Sequence, residues 1–375
     1  MSFTNDSEAD PLWLEDITRQ MIRPSRRMNV TVDKLLPHMP GSDSFAEEIL
    51  NSILEEMKTE GCYADGDGWK GLPRSAGEID PFIDFLDELV QVLPEELAQS
   101  RMVMDMLQWS FLDENAATLR PLEPDPKNPH FLIISQTEFE PSLRAAINAI
   151  ALSDRRRYVP ILTFNLGASS GQVALRLVTR HSVLATSLDI DTDPLSFIHI
   201  LLVLFSGELD SVGFDNGIYS CPNTQTLSLV IKDVEYEVTE RLTGMDSQFK
   251  RGTTCWKACS STGDQVIIKD WWEPYSGNLQ PREDETLEMV SGTHLLPTFI
   301  ASEVVYNSPV FNIKGAPIAT QVRMVSSPCA SPLCTFVSAV ELFLVFKDGV
   351  EGKRVFNRTC SRVNSFRYSP QISRS

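Results

Sequence analysis

The sequence has no excess of positive charge. Thirty-three lysines and arginines stand against 51 aspartates and glutamates, a net charge of −18 over 375 residues. A field of that sign repels a phosphate backbone and excludes sequence-independent binding to nucleic acid. Long hydrophobic runs are also missing: the longest, Phe197 to Phe205, falls far short of the ~20 residues that span a bilayer. No basic stretch followed by an apolar one opens the chain, so no secretory signal is expected. Cysteine is sparse, seven residues at 62, 221, 255, 259, 329, 334 and 360. Neither Cys255 and Cys259 nor Cys329 and Cys334 have CxxC spacing, and no nearby histidines complete a zinc set, so no metal site is expected. Reduced thiols in a cytoplasmic or nuclear protein follow. With 42% hydrophobic and 22% charged residues, fibrous and wholly disordered classes are excluded, and the length allows two or three domains.

What is present divides the chain into five parts. Residues 1–43 mix prolines with a basic knot, Arg23, Arg26 and Arg27, and read as a loosely ordered arm. Residues 44–129 read as a helical N-terminal region with a linker. Ser44 and Glu47 have capping-box spacing ahead of Phe45, Ile49, Ile53, Leu54 and Met57, and Gly61 stops the helix. Further helices are expected from Pro81 and from Glu95, before the proline-rich linker at 121–129. Residues 130–218 read as an α/β block: a strand at 130–135, a helix from Ser142 to Leu152, and a strand pair at 158–166 and 172–180. Pro160 in the first of that pair suggests an edge or a bulge. A helix follows from Asp193-Pro194 to Phe205. Residues 219–358 open as a strand meander at 226–231, 236–244, 253–260 and 265–272. A helix at 281–290 and a strand at 298–306 come next. Residues 359–375 are a basic, serine-rich tail.

The order of elements in the fourth part carries chemistry. A strand, a glycine-bearing turn (245–254), a strand, a hairpin, a strand ending in lysine and then a helix rich in glutamate is what an ATP clamp requires. The small residue lets backbone approach the phosphates, the lysine neutralises them, and a helix glutamate holds the lysine. The candidates are Gly252, Lys269 and Glu285, with Glu283 and Glu288 on the same helix as alternatives.

The wording of these segments resembles the fungal-type protein kinase family. LTGMDSQFKRGTTCWKA, VIIKDWWEP and the REDETLEM helix are similar to its GRxT turn, its VIKDSW-like strand and the helix after it. Residues 322–356 resemble its hinge and first large-lobe helix. Upstream, DRRRYVPILTFNL and the stretch from Arg176 to Phe205 resemble the strand-rich block before its kinase domain. The resemblance implies an α+β protein: a helical N-terminal region, a middle α/β block, and a partial kinase-like fold of a small lobe plus one large-lobe helix. In intact relatives it implies Ser/Thr phosphoryl transfer from ATP with magnesium.

The departures are specific. No HRD-type catalytic loop and no DFG-type aspartate occurs. The histidines are at 38, 130, 181, 199 and 294, none before Arg-Asp, and Lys353 stands where the family helix carries histidine. Met245 to Lys250 lengthen the glycine turn. The expectation is a chain truncated before the catalytic loop and inactive as written, with no catalytic residue and no ATP bound productively. The alternative is a pseudokinase-like binding or scaffold protein, whose protein partner would meet the apolar face of a helix at 335–356.

Other patterns point elsewhere and fail on their own chemistry. DGDG at 65–68 lacks the downstream glutamate of a calcium loop. Glu138-Phe139-Glu140 lacks the lysine of a nuclease site. GASSG at 167–171 is no nucleophile elbow. Asp189, Asp191 and Asp193 read as a strand end leading to a helix cap.

Overall fold

A computed structural model describes residues 27–39, 41–72, 157–167, 170–205, 213–220, 226–242, 252–274, 282–292, 296–308 and 319–328, with a few short or single positions besides. The chain divides into two compact units. The first comprises Met1–Asn216 with Ser308–Ile318, the second Gly217–Asn307 with Ala319–Ser375.

The first unit is built on a six-stranded mixed sheet. Its strands are β1 (Arg27–Asn29), β4 (Ser110–Phe111), β5 (Ile133–Ser135), β6 (Tyr158–Gly167), β7 (Ser170–Thr179) and β8 (Val183–Asp189), in the order β1-β8-β7-β6-β5-β4. The β6–β7–β8 meander is antiparallel, while β1, β5 and β4 add in parallel. Helix α1 (Val32–Leu35) follows β1, α2 (Glu47–Thr59) comes next, and α3 (Pro194–Phe205) follows β8.

Helix α3 is apolar on every side, and Phe197, Ile198, Ile200, Leu201, Leu202, Val203 and Leu204 are all buried. A helix with no polar stripe stays in water only when covered all round. Asp193 starts it, accepting the Ser196 N–H at 3.1 Å, with Pro194 supplying a preset φ at the first turn. His199 interrupts the apolar run, and its Nε2 meets the Ser42 carbonyl at 3.0 Å. No helix among the described residues is long and apolar enough to cross a membrane.

Several expectations need correction here. Residues 27–39, assigned to a loose arm, form β1 and α1, with Leu35, Leu36 and Met39 buried. Arg27–Asn29 pairs with β8, so its backbone groups are satisfied by the sheet. The capping box from Ser44 is absent. Helix α2 begins at Glu47 after Ala46, and Ser42–Ser44 forms a separate 3-10 turn. Its buried stripe is Leu50, Ile53, Leu54 and Met57, whereas Ile49 lies 43% exposed. Pro160 is in neither an edge strand nor a bulge. It sits in β6, opposite Leu177 on β7, one residue before pairing with β5 begins at Ile161. No β5 residue is paired with it there, so no ladder bond to that strand is forfeited.

The DGDG turn joins β2 (Tyr63–Ala64) to β3 (Gly68–Trp69). The hairpin is stitched to the turn after β8. The Trp69 N–H and the Gly171 N–H both donate to the Asp191 carboxylate, Trp69 Nε1 donates to the Ile190 carbonyl, and the Tyr63 hydroxyl donates to the Asp191 carbonyl. The helices expected after Pro81 and Glu95 lie outside the described residues, apart from helical, buried Phe85 and Leu89. That at Ser142–Leu152 is seen only at buried, helical Ala146, and that at 335–356 only at scattered helical positions such as Lys353 and Arg354.

The second unit is a seven-stranded antiparallel sheet. Its strands are β9 (Ile218–Ser220), β10 (Leu227–Ile231), β11 (Val234–Arg241), β12 (Thr254–Ser260), β13 (Gln265–Pro274), β14 (Thr298–Asn307) and β15 (Ala319–Ser327), in the order β14-β15-β13-β12-β11-β10-β9. Helix α4 (Glu283–Val290) lies between β13 and β14 in sequence. One face carries Ile218, Leu229, Ile231, Tyr236, Trp256, Ala258, Val266, Ile268 and Val325 as a single core. The other carries Trp271, Val322 and Met324, covered by Leu287 of α4 and by Phe299. The Lys232 N–H donates to Glu303 on β14, so the sheet curls until its far hairpin meets its first strand.

A sharp test of the first unit is Gly213. Its φ is 92°, and a Cβ there would lie 2.0 Å from the Tyr158 carbonyl oxygen. Its neighbourhood is pinned by the Arg157–Asp215 ion pair (2.6 Å) and the Arg157 N–H bond to the Gly213 carbonyl (2.8 Å). Gly213→Ala therefore combines a left-handed backbone with a backbone clash. Urea denaturation is expected to show a loss of about 3 kcal/mol.

Candidate functional site

The site grows out of the alternation along β13. Val266, Ile268, Asp270 and Trp272 point to one face, and Ile267, Lys269 and Trp271 to the other. Asp270 is buried, which demands a partner of opposite charge. Arg323, directly opposite on β15 and fully buried, supplies it. Its Nη2 donates to Asp270 at 2.7 Å and its Nε at 3.2 Å, while Gln321 Nε2 donates to the other carboxylate oxygen at 2.9 Å. Glu303 on β14 approaches Arg323 at 3.9 Å. The network spans three adjacent strands and sets their register.

With Asp270 committed to one face, Lys269 must project from the other, the face that α4 covers. There its ammonium forms an ion pair with Glu283 and lies 5.3 Å from the centre of the Trp271 ring. Lys269 is a quarter exposed and Glu283 41% exposed, so the pair contributes at most about 1 kcal/mol to stability.

Helix α4 is itself anchored. Asp284, beside Glu283, is buried. It accepts a two-pronged bond from Arg282 at 2.9 and 3.1 Å and a bond from the Ser302 hydroxyl of β14 at 2.9 Å. Glu285 is used differently from the expectation. It accepts the Arg282 backbone N–H at 3.2 Å, closing the first turn of its own helix. The glutamate that meets Lys269 is Glu283, the first residue of the helix. Glu288 likewise makes no contact with Lys269.

Gly252 enters β12 with φ 56°, a conformation that favours glycine. Most of the turn before it, residues 243–251, lies outside the described residues. Cys255 was missed by sequence reasoning as a neighbour of the pair. It stands directly opposite Lys269 on β12. Burial pushes its thiol up; Lys269 pulls it back, and Glu283 and Asp270 push it further up. The meander order held the signal for this: Cys259 and Gln265 face each other at the hairpin turn, and four residues back from one and four on from the other are Cys255 and Lys269.

Among the described residues, no group of three His, Cys, Asp or Glu side chains is placed to hold a metal ion. Asp189, Asp191 and Asp193 are structural: they serve the β8 turn, the β2–β3 hairpin and the α3 cap. The constellation is thus one ammonium on a central strand, one carboxylate on the covering helix, and a glycine at the entry to the neighbouring strand. It is a place where an anionic oxygen can be met by a fixed positive charge.

The family model described as fungal protein kinase covers residues 142–315. No curated protein matches the chain.

Three outcomes follow from this geometry. Arg323→Ala leaves Asp270 buried and unpaired, and denaturant unfolding is expected to show a loss of about 4 kcal/mol. Glu283→Gln is expected to change stability by less than about 1 kcal/mol. The Cys255 thiol titrates above its ordinary value, so at pH 8 it is mostly protonated. Lys269 lowers it, so removing Lys269 raises it further. Lys269→Ala is therefore expected to slow iodoacetamide labelling of the Cys255 peptide, measured by mass spectrometry against Cys259, and the slowing should fade as pH rises.

Proposed function

From the premise that residues 142–315 belong to the fungal protein kinase family, we propose that the second unit is the nucleotide-facing half of a kinase-type phosphotransferase. The observation that carries this reading is the Lys269–Glu283 pair, an ammonium on a central strand held by a carboxylate of the covering helix. That pairing is the one an ATP clamp requires. Bound ATP supplies the transferable phosphoryl group. Lys269 offsets phosphate charge; Glu283 keeps the long lysine stem directed along the α4 face; Asp284 with Ser302, and Asp270 with Arg323, fix the two elements that carry them. Gly252 leaves backbone room at the entry to β12. No step is assigned to magnesium, since no ligand set for it is present among the described residues.

The 375 residues contain no HRD-type and no DFG-type motif. The proposal is accordingly that they hold phosphate without transferring it. The same absence favours a second reading, a non-catalytic, pseudokinase-like binding protein, with the apolar face expected at 335–356 as its contact with a partner protein.

The test uses the purified chain. With magnesium and labelled ATP, no transfer to a Ser/Thr substrate is expected. A fluorescent ATP analogue is expected to bind, and Lys269→Ala to weaken it about tenfold, or ~1.4 kcal/mol, at unchanged melting temperature. Robust transfer abolished by Lys269→Ala sinks the claim of inactivity. Equal nucleotide affinity in the wild type and Lys269→Ala sinks the clamp and leaves the second reading.

A further inference from the structure

The first unit holds a cavity of about 590 Å³, within the size range of small-molecule pockets. One wall is the face of the sheet formed by β1, β8 and β7. Arg27 is opposite Val183 and Arg176 opposite Ala185, so the two guanidinium groups flank the same stretch of β8 and share a face. Both line the cavity, as do Asn29 and Ser187. Small side chains at Ala174 and Ala185 leave the floor open. At the other end the lining is acidic: Asp189 closes β8, and Asp193 caps α3.

We propose that this cavity binds a small hydroxylated anion, a sugar acid or a sugar phosphate, with its anionic group on Arg27 and Arg176 and its hydroxyls on Asp189 and Asp193.

Two guanidinium groups on one face of the sheet present forked donors that match a carboxylate or a phosphate. Arg176 already donates through Nη1 to the Thr163 hydroxyl at 2.7 Å, which fixes the direction of its fork. Burial first, and the nearby Arg27 second, pull Arg176 below the ordinary arginine value. An anion between the two relieves that repulsion.

The acidic end rules out a ligand that is anionic along its whole length. It does not call for a full positive charge either. Asp189 accepts the N–H groups of Asp191 and Thr192 on one oxygen and Gln172 Nε2 on the other. Asp193 accepts Ser196 N–H on Oδ1 at the start of α3, where the helix dipole offsets its charge. Carboxylates already compensated in this way are suited to neutral donors, and hydroxyls are such donors. From Ala185 to Asp189 the strand advances about 13 Å, a span that an arginine side chain and a five- or six-carbon ligand bridge together.

Calorimetric titration of the full chain decides the matter. The probes are gluconate and ribose 5-phosphate, with ribose, inorganic phosphate and sodium chloride of matched ionic strength as controls. At least one sugar anion is expected to bind, and which one identifies the head group. Ribose and inorganic phosphate are expected to bind at least about tenfold more weakly. Arg27 is exposed, so Arg27→Gln is expected to lower affinity about tenfold at unchanged melting temperature, and Arg176→Gln to do the same with some loss of stability. Lys269→Ala is expected to leave the affinity unchanged, which separates this cavity from the phosphate clamp. Absence of binding by both sugar anions overturns the proposal, as does wild-type affinity in Arg27→Gln and Arg176→Gln. Equal binding of inorganic phosphate also overturns it, since the hydroxyls would then contribute nothing.

Discussion

A carboxylate inside a β-sheet leaves the chain little choice. Asp270 lies in an interior strand of the second unit with apolar residues on either side of it along the same face, and Arg323 meets its charge. Slipping β15 by one residue against β13 would move every side chain to the opposite face and leave both charges buried without each other, at a cost of several kcal/mol. The ion pair adds little net stability over an apolar pair of similar volume, but it admits a single register. From that register follow the faces on which Trp256, Ile268 and Val325 form one core and Trp271, Val322 and Met324 another. It also decides that Lys269 looks toward α4.

The helix answers with the same device. Asp284 is buried and tied to Arg282 and to Ser302 of β14, so α4 is fixed at its first turn. Glu283 is then presented to Lys269 as a consequence of its neighbour's burial. In each case a buried acid does the holding and the adjacent, partly exposed residue is left to form the Lys269–Glu283 pair. The exposed pair is cheap to form and break, whereas its supports are not.

The first unit uses a different economy. Its central helix α3 has no polar face, so it is enclosed on all sides, and Trp69 and Phe164 meet Phe197 edge-on. The polar groups at the sheet's end are gathered by one aspartate, Asp191, which accepts N–H groups from two separate segments. Gly68 is required beside it, since a Cβ there would stand 2.1 Å from the Asp191 carboxylate. The turns that looked in sequence like metal loops are thus used to close the sheet.

Much of the architecture was legible as pattern. The strands β10 to β14 and the apolar α3 with its Asp-Pro start follow from periodicity of two or 3.6 and from turn residues, all of which are local; Lys269, read as a strand end, lies inside β13, which runs on to Pro274. So is the family resemblance, carried by short ordered segments. Other features were not local. Ser44 and Glu47 have the spacing of a capping box, yet the helix begins after Ala46, because a 3-10 turn at Ser42–Ser44 comes first. Pro160 reads as an edge residue, yet β6 is interior, because β5 joins it one residue later. Arg27 reads as part of a basic knot, yet it is a strand residue, because β8 offers it a free edge. The sequence by itself placed a lysine and several glutamates within reach of one another. Choosing Glu283 over Glu285 required tertiary structure, because the choice depends on where α4 starts and on which face β13 turns toward it. Both are set by the distant partners Ser302 and Arg323, and no spacing within the helix encodes them.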